Sequence, residues 1–207
     1  MNTKNLILKA AVAIAIAAPM IASAESQFST GAGALTASAK VDFTITVPKV
    51  LFLQVGTGTN MGTNAAVNLI TFNVPAANVG DGTVIAATAA SGDLGNGTVT
   101  AKVVGNNGTI TFTSTTLGAL SNGAGDTISY GQISTAVAAL TSGTALAHPA
   151  LADAATTTVT LNPAPSKVIN RDARWTYSYT NANVVAPGTY GGVNTNNGRV
   201  TYTASMP

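Results

Sequence analysis

Five Asn-Gly or Asp-Gly pairs punctuate this chain: Asp81-Gly82, Asn96-Gly97, Asn107-Gly108, Asn122-Gly123 and Asn197-Gly198. Such pairs accept the positive φ angles of tight turns between antiparallel strands. The stretches between them are rich in Thr and Val, whose branched side chains suit a pleated, half-buried surface. Helix-favouring Glu, Lys and Arg are nearly absent, and Glu25 is the single glutamate. No long stretch repeats with a 3.6-residue period. The pattern predicts an all-β fold of many short strands, specifically an immunoglobulin-like antiparallel β-sandwich.

Strands are expected at 41–47, 50–55, 67–74, 83–88, 98–104, 109–117, 127–133, 156–161, 174–179 and 198–204. The Asn106-Asn107-Gly108 turn reads as a hairpin joining residues 101–104 to 110–113. Residues 131–155 are ambiguous. Ser134–Leu140 suits a short helix, or a strand followed by a long loop.

The N-terminus has the three parts of a secretory signal: basic Lys4 and Lys9, an apolar run over Ala10–Ala18, and the small-residue site Ala22-Ser23-Ala24. The run is shorter than the ~20 residues that span a membrane. We therefore expect residues 1–24 to be a signal peptide, 25–38 a flexible leader and 39–207 a single β-sandwich domain. The expected location is the periplasm, the cell surface or the extracellular space, with no transmembrane segment in the mature chain.

Only 8% of the residues are charged, against about 25% in typical domains. Removing Lys4 and Lys9 with the signal leaves seven basic residues against seven acidic ones. A balanced charge argues against nucleic acid as a partner. The absence of cysteine excludes disulfides, thiolate metal sites and a cysteine nucleophile.

No catalytic constellation emerges, and none for a metal or another cofactor. His148, the one histidine, precedes Pro149 and reads as a surface-loop residue. Asp81, Asp93 and Asp126 lie among glycines, where calcium ligands and ordinary turn residues look alike. Trp175, Tyr177 and Tyr179 share one strand face. That face makes either an exposed aromatic platform for sugar stacking or, the preferred reading, part of the core. Tyr190 is placed to pin a corner by hydrogen-bonding the backbone.

Val41, Phe43, Ile45 and Val47 alternate with polar residues, as in a strand with one buried face. The segment Ala39–Val47, together with Pro187-Gly188-Thr189-Tyr190 and the closing run Gly198–Thr203, resembles the archaic chaperone–usher pilins with a spore-coat-U-like fold. Members of that family usually carry cysteines near the first strand, and this chain has none. The resemblance implies strand donation between subunits, with a segment that includes Leu35, Val41, Phe43, Ile45 and Val47 as donor, and a periplasmic chaperone as partner. The simpler reading makes Val41–Val47 the first strand of the protein's own sandwich.

Two functions remain open at this level. The first is a non-enzymatic secreted structural protein, a fimbrial, surface or biofilm-matrix subunit that associates with itself or with other surface subunits. The second is a monomeric extracellular module that binds carbohydrate or another ligand.

Overall fold

The computed structural model describes residues 26–207, so the expected signal peptide lies outside the described residues. The chain divides at Val47/Pro48. The sheets thus begin after Pro48, rather than at Ala39 as expected. Residues 26–47 belong to no strand.

Ten strands are assigned in the second unit. They are β1 (Leu51–Val55), β2 (Ile85–Ala86), β3 (Thr98–Gly105), β4 (Ile110–Thr116), β5 (Leu120–Ser121), β6 (Thr127–Ile128), β7 (Ile133–Ala139), β8 (Thr156–Leu161), β9 (Ile169–Tyr179) and β10 (Val200–Ser205). Every pairing is antiparallel. One sheet runs β1-β3-β9-β2, with β7 also paired to β9. The second runs β10-β4-β8, and β5 and β6 form a small ribbon.

Period-two patterning sorts the side chains. Val99, Ala101 and Val103 of β3 and Ala173, Trp175 and Tyr177 of β9 point into one core with Ile110 and Phe112 of β4. The indole of Trp175 stacks on Phe112 at 5.9 Å between centroids, so the largest buried side chains join the two sheets. The outward face of the second sheet carries cross-strand rows Thr201–Thr115–Thr156, Thr203–Thr113–Thr158 and Ser205–Thr111–Thr160. Thr115 and Thr156 hydroxyls lie 2.8 Å apart. Hydroxyls keep this face wet without charge, which helps explain how so few charged residues suffice.

Three expectations are corrected. The Asn106–Gly108 turn is no hairpin, because β3 and β4 lie in different sheets. A type I′ turn needs positive φ at both central residues, and here only Gly108 has it, at 104°. The turn's polar groups serve other segments instead. Asn106 Oδ1 accepts from Val50 N at 2.8 Å, and Gly108 N donates to Lys167 O at 2.8 Å. Residues 134–140 are not helical, since β7 runs along β9 for seven residues. The alternative of a strand with a long following loop is what the structure has. Residues 67–74 make only an isolated bridge, Phe72 to Ala87, beside which Thr88 N donates to Thr71 O at 2.8 Å.

The long connection from β7 to β8 is held by donors from the sheets. Trp175 Nε1 donates to Leu146 O at 2.9 Å, and Ser114 Oγ donates to Ala150 O at 3.0 Å. Leu146 and Pro149 are fully buried as a result. Asp172, itself buried, ties the start of this connection by accepting from Thr141 N and Ser142 N, both at 2.8 Å.

Phe112→Ala is expected to cost about 3–5 kcal/mol, as for other buried aromatics truncated in a core. Urea unfolding of the mature chain should show the midpoint falling with the slope unchanged. A cost below about 1 kcal/mol would mean that the sheets do not depend on this contact.

Candidate functional site

A groove opens at one margin of the two sheets. β1 and β10 are edge strands, each paired on one side only, and they approach one another at that margin. Between them, residues 66–74 and the 185–202 region, lies a groove of about 1280 Å³. Ligand pockets for small molecules run ~300–1,000 Å³, so this groove has room for more than one small ligand. Apolar residues on its rim stay in water: Val67 is 62% exposed and Val193 63%. Exposed apolar residues lining one groove make it the candidate interaction surface.

The floor has two parts. Near β10, Tyr177 and Tyr202 meet His148 in a polar knot. His148 Nε2 lies 2.7 Å from Tyr202 Oη and 3.3 Å from Tyr177 Oη, and the two hydroxyls are 3.0 Å apart. The imidazole stands edge-on to Trp175 at 4.6 Å. His148 is therefore no surface-loop residue, which corrects the expectation. Its imidazole packs among Trp175, Tyr177 and Tyr202, and this burial lowers its pKa to about 4. Burial also pushes the Tyr177 hydroxyl up to about 12.

At the other end, Tyr179 packs with Ile85 and Ile128, against Tyr190 and Val185. Tyr190 Oη donates to Ala186 O at 2.7 Å, so Tyr190 pins a corner as its position in the sequence suggested. Tyr130 Oη donates to Asn197 O at 2.7 Å and anchors the 191–198 loop. That loop folds tightly on itself. A Cβ on Gly198 would stand 2.2 Å from Gly192 N, so only glycine fits there.

Trp175 is fully buried, and Tyr177 and Tyr179 nearly so. The exposed sugar-stacking platform is thereby corrected: Trp175 lies in the core, and Tyr177 and Tyr179 are nearly buried at the floor of the groove. The three glycine-flanked aspartates sit in separate turns. Asp81 accepts from Thr83 N at 2.8 Å, Asp93 from Thr100 N at 2.8 Å, and Asp126 from Asn122 Nδ2 at 2.9 Å. No group of three potential metal ligands occurs among the described residues.

Residues 26–47, described by themselves, supply the second component. From Leu35 to Val47 every odd position is apolar and every even position polar, thirteen residues without a break. No ladder takes in Val41–Val47, so the reading of this segment as the domain's own first strand is corrected. Phe43 and Ile45 are each 87% exposed, Val41 74% and Val47 73%. Leu35 is half exposed.

The groove itself was not foreseen. Its one signal in the sequence was the apolar-rich run 67–74, which promised a strand yet lies at a margin with Val67, Leu69 and Val74 exposed.

The pH dependence of stability should follow His148. Its folded pKa of about 4 lies below the ordinary 6.5, so the unfolded chain binds more protons between those values. Stability is fully present above about pH 6.5 and falls as pH drops towards 4. Asp172 adds a second loss at lower pH. Burial raises its carboxyl, but donors from Thr141 and Ser142 outweigh that and hold it below the usual carboxylate range. Thermal melts of wild type and His148→Gln between pH 8 and 4 test this. The wild-type melting temperature should decline below pH 6.5, and the variant's should decline less. No family model, curated protein or solved structure matches this chain.

Proposed function

We propose that this chain is a non-enzymatic subunit of a secreted surface assembly, built as an incomplete immunoglobulin-like sandwich and polymerised by strand donation. One observation carries the reading. A single chain holds both an open apolar groove beside a free strand edge and an exposed, strictly alternating segment of thirteen residues. At ~3.3 Å per residue, the thirteen residues of Leu35–Val47 span ~43 Å when extended.

Strand addition satisfies both halves at once. The backbone of the donor pairs with the free edge of β10, and its odd-numbered side chains enter the groove. Burying Val41, Phe43, Ile45 and Val47 contributes about 1.5–3 kcal/mol for each side chain. The donor and its groove are in different copies in this scheme, so the contact repeats head to tail and grows a filament rather than closing a dimer. The signal-like N-terminus supports export. The exposed apolar rim supports a periplasmic chaperone as an earlier occupant of the same groove, since such a surface left open would aggregate.

The test compares the mature chain with a variant lacking residues 26–47. At high concentration the full chain should form filaments visible by electron microscopy and raise light scattering, while the deletion variant stays monomeric. A synthetic peptide covering residues 35–47 should raise the melting temperature of the deletion variant by mass action. Filaments that persist without the segment would sink the proposal.

A further inference from the structure

We propose that Arg199 sets the register of the donated strand by pairing with Asp42 of the incoming copy. This inference rests on the strand-donation reading above. Alternation alone cannot fix the register. A slip of one residue turns every apolar side chain outwards, but a slip of two restores the same face to the groove. Some other feature has to tell Val41, Phe43 and Ile45 apart from their neighbours two places away.

Arg199 is the sole charged side chain among the residues that line the groove. It makes no hydrogen bond or ion pair among the described residues. It directly precedes Val200, the first residue of β10, and lines the groove together with the 185–194 region. The anchored loop closed by Gly198 holds its backbone in place.

Parity agrees. Thr201, Thr203 and Ser205 are the exposed positions of β10 and Val200, Tyr202 and Ala204 the half-buried ones; half-buried Arg199 precedes the strand at the rim of the groove, in step with Thr201. When Val41 and Phe43 enter the groove, Asp42 points outwards. The only other charge in the donor is Lys40, two places away on the same face. Placing Asp42 beside Arg199 is attractive. A two-residue slip brings either Lys40, which repels, or Thr44, which is neutral. Opposite and like charges across neighbouring strands differ enough to bias such a choice.

The test uses full mature chains carrying Asp42→Arg or Arg199→Asp. Each alone creates a like-charged junction and should elongate roughly three- to tenfold more slowly than wild type at low salt. In an equimolar mixture the two variants can elongate by alternating, and every alternating junction is oppositely charged because each donor then meets the complementary acceptor. The mixture should recover wild-type elongation, and at about 1 M salt the differences should shrink. Recovery on mixing also shows that both variants are folded; Arg199→Gln, with a milder slowing expected, provides the uncharged comparison.

If single variants elongate as wild type while deletion of residues 26–47 abolishes filaments, the register role falls and strand donation stands. If the mixture stays as slow as the single variants, the pairing falls likewise. If filaments survive the deletion, both readings fall together.

Discussion

The contact between Trp175 on β9 and Phe112 on β4 is what the rest of the fold depends on. With no cysteine in the chain, nothing covalent joins the two sheets. Their association rests on apolar burial between inward faces, and the largest buried rings supply the greatest share. The indole also uses its one N–H to hold Leu146, which draws the β7–β8 connection into the core. One aromatic side chain thus organises both sheets and the segment that crosses between them.

That arrangement closes the molecule unevenly. The connection from β7 to β8 sends Leu146 and Pro149 inwards, whereas the β1–β10 margin has no strand between its edges. An uncovered margin is a liability in a β-protein, since free edges invite pairing with other chains. Here the liability coincides with a strand-like segment of the same chain that joins no sheet. The apolar surface of the groove and the apolar face of Leu35–Val47 are each costly in water, and strand addition would remove both costs together. The threonine rows on the second sheet fit this picture: they keep the outer face soluble without a charge that would repel neighbouring copies.

Much of the strand content was legible in the sequence. The segment 156–161 is a strand over the expected residues, and 98–104, 109–117 and 174–179 lie within a residue or two of real strands or inside a longer one. Alternation and turn chemistry are local properties, and they act over a few residues. Partnership was not legible. Asn107-Gly108 looks like any hairpin turn, yet it carries the chain from one sheet to the other, because its flanking strands find better partners elsewhere. Residues 134–140 have weak local preference, and their pairing with β9 decided their state.

The same division separates what the sequence alone determined from what required the tertiary structure. The all-β character, the amphipathic donor-like segment and the absence of covalent staples follow from residue type and spacing, which act at short range. The open margin, the buried aromatic trio and the placement of His148 beneath the groove were settled by packing between distant segments. An apolar strand face has the same sequence pattern whether it lines a core, a rim or a neighbour's groove. Only the three-dimensional arrangement reveals which surfaces were already covered and which were left open, because burial belongs to pairs of segments and not to either one alone.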